Sequence, residues 1–248
     1  MSEVSATTSG ATNSAQGEAA APVAPASEIA ATSSSEGTTA GFEDFAHTGQ
    51  GQRAGYLDRP LEEFHSQYRG EYIEPRATAF PVEPFGSPQK IADLANPKQL
   101  DGPAWQVNCA DVSRAVERTW RGSEEFPAGR TAELYATPVG EDYDRMEDWS
   151  GQELHNVTDA NDIRDRLVES GPGSSAVVET QYSSAFDEHA TGGHAFNVVN
   201  HEGRVVVIDG QVGRTFDWAN GTGHPAMGRT WDTKVVGWDR TGVPLWRA

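Results

Sequence analysis

The stretch Gly192-Gly193-His194-Ala195-Phe196-Asn197-Val198-Val199-Asn200-His201-Glu202-Gly203-Arg204-Val205-Val206-Val207-Ile208-Asp209-Gly210-Gln211 decides how the chain folds. Two apolar runs, Ala195 to Val199 and Val205 to Ile208, flank a polar turn ending in Gly203, which is the pattern of a β-hairpin. Both faces of both runs are apolar, so the strands are expected to be covered on two sides. With Glu202-Gly203 as a two-residue turn, His201 pairs with Arg204. Counting back, Phe196 pairs with Asp209 and His194 with Gln211. That register puts His194 and Asp209 on the same face, diagonal to one another, whereas a slip of one residue would separate them. A lone histidine at a strand end is usually a satisfied structural residue, and its meaning here depends on what lies upstream.

Upstream is Trp105-Gln106-Val107-Asn108-Cys109-Ala110-Asp111-Val112-Ser113-Arg114-Ala115-Val116-Glu117-Arg118-Thr119-Trp120-Arg121-Gly122. Val112, Ala115, Val116 and Thr119 recur at helical spacing, Gly122 is a good stop and Asn108 a candidate N-cap. Cys109 falls in the first turn, where free amides and the helix dipole favour a thiolate. It is the single cysteine of the chain, so neither an intramolecular disulfide nor a four-thiolate zinc site can form. A lone cysteine is most often a small buried hydrophobe. The order cysteine, histidine, carboxylate also meets the needs of thiol chemistry, with a nucleophile on a helix and its base on a neighbouring strand.

The rest of the chain frames this pair. Its 248 residues carry a net charge of −18 and a mean hydropathy of −0.59. Such acidity opposes binding to nucleic acid or anionic membranes, and no stretch has transmembrane length. Residues 1–41 are mostly Ala, Ser, Thr, Gly and Glu, without Lys, Arg or an aromatic residue, and are expected to be disordered. They lack the basic start and apolar run of a secretory signal. They read as a spacer, or else as an address for a dedicated export machine.

Residues 42–90 bring aromatic residues among charges and prolines. Leu61 to Tyr68 suits a short helix with Leu61, Phe64 and Tyr68 on one side, and Pro75, Pro81, Pro84 and Pro88 predict extended chain. The segment reads as an arm packed on the domain, or as a docking segment for a partner. Residues 91–248 form the expected domain. Within it, Ser123 to Met146 reads as surface loop and Thr158 to Gly171 as a helix with Ile163, Leu167 and Val168 inward. Strands are expected near Ser174 to Tyr182 and Thr233 to Trp238. Phe216, Trp218, Trp231, Val235, Val236, Trp238 and Leu245 complete the expected core, and Gly221, Gly223 and Pro225 mark a loop near the site.

Asn108-Cys109 through Gly122, Gly193-His194-Ala195-Phe196-Asn197-Val198-Val199 and Val207-Ile208-Asp209-Gly210-Gln211-Val212-Gly213 together resemble the papain-fold toxin domains of bacterial polymorphic toxins, which are grouped with glutamine deamidase toxins. Asn96-Pro97 fits that family's entry into the cysteine helix, and the resemblance spans roughly residues 91 to 240. It implies an α+β papain-like fold, with the cysteine-bearing helix packed on an antiparallel sheet. It implies Cys109 as nucleophile, His194 as general base and acid, and Asp209 as the residue that orients His194. Gln211 matches the family's glutamine after the aspartate, and either it or Gln106 is a candidate for oxyanion or substrate positioning; both are equally open to a structural role.

The implied activity is protein glutamine deamidation by a toxin or effector without cofactor. The implied partners are a protein substrate bearing the target glutamine and, as candidates, an immunity protein or export machinery. The same groups support a cysteine peptidase or a transglutaminase, and a non-catalytic binding module that keeps the fold is a further alternative. A metal site from Asp187, Glu188, His189 and His194 is chemically conceivable, but an acidic loop is usually solvated. By residue type alone, Asp209→Asn should be milder than Cys109→Ser, since an amide oxygen can still hold an imidazole.

Overall fold

The computed structural model describes residues 60–68, 70–73, 80–131, 141–183, 191–218, 224 and 230–246. The tail 1–41, the loop with Asp187, Glu188 and His189, the loop residues Gly221, Gly223 and Pro225, and the side chain of Trp231 lie outside them. The chain runs through helix α1 (Leu61–Gln67), strands β1 (Tyr72–Ile73) and β2 (Phe80–Pro81), and helix α2 (Pro88–Leu94). Two 3-10 turns, Gln99–Asp101 and Pro103–Trp105, lead into helix α3 (Cys109–Trp120). Then follow β3 (Ser123–Glu124), β4 (Gly129–Arg130), α4 (Tyr143–Ser150), β5 (His155–Asn156), α5 (Ala160–Ser170), β6 (Ser175–Ser183), β7 (Thr191–His201), β8 (Arg204–Asp209), β9 (Arg214–Asp217) and β10 (Thr230–Trp238).

The main sheet has the order β5-β10-β6-β7-β8-β9, with antiparallel neighbours throughout. Its centre is the expected hairpin. His201 pairs with Arg204, and Glu202 and Gly203 both take positive φ, at 53° and 89°. Two left-handed residues make a turn whose twist matches the strands it joins. The Gly203 amide donates to Asn200 Oδ1 at 2.9 Å and closes it.

Alternation along the hairpin supplies two cores. Val199, Val206 and Ile208 pack with Ile91, Ala92, Val112 and Val116 from α2 and α3. Phe196, Val198 and Val207 pack on the other face with Ile163 and Leu167 from α5. Helix α5 starts and stops where the sequence indicates, with Asp159 capping it and Gly171 ending it. Val168 is 54% exposed rather than inward, because Ile163 and Leu167 alone line the stripe that meets the sheet. Gly210, just past β8, sits where a Cβ would lie 2.7 Å from Ala95 Cβ and Val116 Cγ2. Its lack of a side chain lets the end of β8 press against α2 and α3.

Helix α3 departs from the one-sided pattern read in its sequence. Its apolar face is buried as expected, but so are Asp111, Ser113, Arg114, Glu117 and Arg118. Segments that look polar in sequence cover this second face. Asp111 meets His65 at 2.7 Å and Arg114 at 3.2 Å; Arg114 meets Glu141 at 2.5 Å; Arg118 meets Glu125 at 2.6 Å. A buried charge is tolerated only when paired and hydrogen-bonded, and these are. Ser123 to Met146 is therefore not surface loop where it is described. Glu125, Ala128, Arg130 and Met146 are buried, and of the charges that suggested solvent Glu125 and Glu141 are partners of α3, while Asp142 and Asp144 stay exposed.

In the arm, Leu61 and Phe64 are buried in the same core cluster as Ala110 and Ala115. Pro88 does not extend the chain but opens α2, with Ser87 Oγ accepting from the Lys90 amide. Proline suits that position because its φ is preset and its missing N–H needs no partner there.

Candidate active site

Three elements end near one another: the N-terminus of α3, the start of β7 and the exit of β8. Cys109 is the first helical residue of α3 and is partly exposed. Asn108 occupies the N-cap position but does not cap with its side chain. Its Nδ2 donates instead to the Ala128 carbonyl at 2.8 Å, since the loop before β4 runs alongside and leaves that carbonyl buried. Asp111, one turn on, accepts the Ala128 amide. The segment 125–129 is thus fastened to both sides of the cysteine turn.

His194 Nε2 donates to Asp209 Oδ2 at 2.9 Å, and Cys109 lies near enough for its sulfur to help raise the pKa of the ring. With Nε2 committed to the carboxylate, Nδ1 is the ring nitrogen that remains for a further partner. The imidazole thus neighbours both the Cys109 thiol and the Asp209 carboxylate. The backbone ladder between β7 and β8 stops at Asn197–Ile208, so His194 and Gln211 do not pair across it as counted from the turn. The strands part there, and His194 keeps only its ladder partner Thr180 on β6. The diagonal relation of His194 and Asp209 survives through their side chains.

The electrostatics follow from burial and pairing. Burial alone would lower the pKa of His194. The hydrogen bonds to Asp209 and Cys109 and their negative charges outweigh it and raise it from 6.5 to about 10. Burial alone would raise Asp209, but the bonds from His194 and His224 hold its carboxyl well below the ordinary value of 3.8. Asp209 Oδ1 accepts the amides of Gln211 and Val212, at 3.1 and 3.4 Å.

The two candidate glutamines differ. Gln211 is buried, and its Nε2 donates to the backbone carbonyl of Gln106 at 2.8 Å. The Gln106 side chain is exposed and donates to the Gln99 carbonyl at 3.3 Å. The structure thus joins Gln211 to the nucleophile's loop, while the Gln106 amide group turns to the preceding 3-10 segment.

His224 was not singled out in the sequence. It is 7% exposed, and its Nε2 meets the same Asp209 Oδ2 at 2.9 Å. Its ring stacks on Phe196 at 4.4 Å and lies edge-on to Phe216 at 5.2 Å. The available signal was the Gly221-Thr222-Gly223-His224-Pro225 composition of a loop expected near the site.

Among the described residues, His194, Asp209 and His224 are the group whose ligand atoms, within 4.8 Å of one another, could hold a metal. Those atoms already satisfy each other, with two ring N–H groups on one carboxylate oxygen. As it stands, the arrangement offers a thiol, an imidazole and an orienting carboxylate, the components of acyl transfer through a covalent intermediate.

Residues 107–214 match the family described as papain fold toxin 1, glutamine deamidase, a span that includes Cys109, His194, Asp209 and Gln211. No curated protein matches the chain. A solved structure of the Salmonella effector SpvD, G161 variant, is similar at 14% identity, covering 78% of this chain and 97% of that one, with a TM-score of 0.43. The segment that carries the cysteine helix and the hairpin is thus similar to the papain-fold toxin family described as glutamine deamidases.

Proposed function

We propose that this protein is a toxin or effector enzyme that deamidates glutamine in a target protein, with Cys109 as nucleophile, His194 as general base and acid and Asp209 as its orienting partner. The observation that carries this reading is the His194 imidazole hydrogen-bonded to the Asp209 carboxylate with the Cys109 thiol in its neighbourhood. His194 takes the thiol proton and the thiolate attacks the side-chain carboxamide carbon. The Cys109 amide, at the open end of α3, is one donor for the resulting oxyanion. His194 then protonates the leaving nitrogen and ammonia departs, leaving a thioester. Water, activated by His194, attacks the thioester, and sulfur leaves as thiolate. The balance is glutamine plus water giving glutamate plus ammonia.

The same reading gives the protein a protein target in another cell, reached through export machinery, with an immunity protein as a partner in the producer. No helix among the described residues is long and apolar enough to cross a membrane.

Intact-mass analysis of candidate target proteins tests the chemistry. Wild-type protein should add about one dalton per modified glutamine and leave the target whole, and Cys109→Ser should add nothing. Target fragments would identify a peptidase. An unmodified target whose response persists with Cys109→Ser would identify a binding module.

A further inference from the structure

Asp209 has more to hold than a two-partner orienting residue needs. Its Oδ1 takes two backbone amides, from Gln211 and Val212, and its Oδ2 takes two imidazoles, from His194 and His224. The backbone pair fixes where the carboxylate sits. The plane in which Oδ2 points remains a torsional freedom that one histidine would not remove, because a single N–H can follow a rotating oxygen. A second N–H arriving at the same oxygen from a different direction does remove it. The two rings are 5.1 Å apart and tilted by 39°, so they approach Oδ2 from different sides. The His224 ring is itself held, stacked on Phe196 with an interplanar angle of 17° and braced edge-on by Phe216. Phe196 lies two residues after His194 on the same face of β7, and its ring centre is 5.9 Å from that of His194. One aromatic surface thus locates both imidazoles. His224 lies ten residues beyond the segment matched by the family, 107–214.

We infer that His224 is a positioning residue of the active site, which acts through Asp209: by sharing Oδ2 it locks the carboxylate and so holds the Nε2–H of His194, and with it the orientation of the ring beside Cys109. This inference rests on the proposed thiol chemistry and extends the three-residue site to four. His224 shares Oδ2 with His194, and the two rings lie 5.1 Å apart, so its influence on the thiol is exerted through the Asp209–His194 pair.

The test uses the full chain and the rate at which iodoacetamide alkylates Cys109 near pH 6, a readout of the thiolate–imidazolium pair that needs no target protein. His224→Phe keeps the ring against Phe196 and removes the donor; it should slow alkylation roughly tenfold, the size of one charge-assisted hydrogen bond. His224→Gln, which can return an N–H to the place of Nε2, should restore the rate to within about twofold. In an Asp209→Ala background, His224→Phe should have no further effect, because the two residues act in series. A ¹⁵N spectrum of the wild-type histidines provides evidence independent of any variant: both His194 and His224 should carry a proton on Nε2.

Wild-type alkylation retained in His224→Phe, losses that multiply with those of Asp209→Ala, or a His224 protonated only on Nδ1 would each overturn the inference. A wild-type Cys109 that is itself inert would remove the thiol chemistry and this inference together. A reactive Cys109 indifferent to residue 224 would remove only the latter.

Discussion

Gln211 Nε2 donates to the backbone carbonyl of Gln106 at 2.8 Å, across the gap between the turn after β8 and the loop that enters the cysteine helix. Its own amide donates to Asp209. One residue therefore ties the orienting carboxylate to the segment that aims the nucleophile. Gln211→Met keeps length and volume but removes the donor, and leaves the Gln106 carbonyl unpartnered by it. We expect a stability loss of about 1 kcal/mol, read as a lower urea midpoint with unchanged slope. The deamidation rate should fall with little change in KM, because the cysteine loop is displaced relative to His194 rather than the substrate contacts. An unchanged rate would make Gln211 a structural residue alone.

Asp209→Asn should be severe, although residue type alone ranks it as milder than Cys109→Ser. Four N–H groups converge on the carboxylate, two on each oxygen. An asparagine offers one acceptor oxygen and one NH₂ group. If the oxygen faces the Gln211 and Val212 amides, the NH₂ meets two imidazole N–H groups, and at least His194 must change tautomer. That change would put a proton on the nitrogen that should accept one from Cys109. A loss of about a hundredfold or more in rate is expected, as for an orienting aspartate whose histidine takes the wrong tautomer. A rate within about threefold of wild type would show that the imidazoles adapt.

The hairpin register was legible because Glu202-Gly203 leaves no room for slippage and because both strand faces are apolar. The cysteine helix was legible on its apolar stripe alone. Its other face was not, because Asp111, Arg114, Glu117 and Arg118 look solvated in a one-dimensional pattern. The partners of Asp111, Arg114 and Arg118, namely His65, Glu141 and Glu125, are 46 residues or fewer away but sit among charges and turns that read as solvated. Polar composition is ambiguous between a surface and a set of buried ion pairs until both halves of the set are seen together. His224 was missed for a related reason. A histidine in a glycine-rich loop carries no periodic signal, and only the position of Asp209 in space gives it meaning.

The arm belongs to the fold, and its loss should be costly. Phe64 is fully buried, and the Arg114 guanidinium lies 4.7 Å from its ring centre. The neighbouring Leu61 amide donates to Glu125 Oε2 at 2.7 Å. Phe64→Ala would leave a cavity beside a buried charge, and we expect a cost of about 3–5 kcal/mol in urea denaturation. A cost below about 1 kcal/mol would mean that residues 61–67 dock on an already complete core.

Stability should also depend on alkaline pH through His194. In the unfolded chain this histidine titrates near its ordinary 6.5, and in the folded protein the bonds to Asp209 and Cys109 outweigh burial and hold it near 10. The folded state therefore binds the proton more tightly than the unfolded chain. The resulting stabilisation is fully present below pH 6.5, declines as pH rises and is lost on passing through about 10. The Asp209 contribution has the opposite sense: its lowered pKa stabilises above 3.8 and fails as pH falls below it. The two effects separate if the measurements stay above about pH 5, where the carboxylate is ionised in both states. Unfolding free energies of wild type and His194→Gln, measured from about pH 5.5 to pH 10, should differ most at the acid end. The gap should close steadily above neutrality, with the wild type supplying the slope. A constant gap, or one that widens with pH, would mean that His194 is not held as an imidazolium between Cys109 and Asp209.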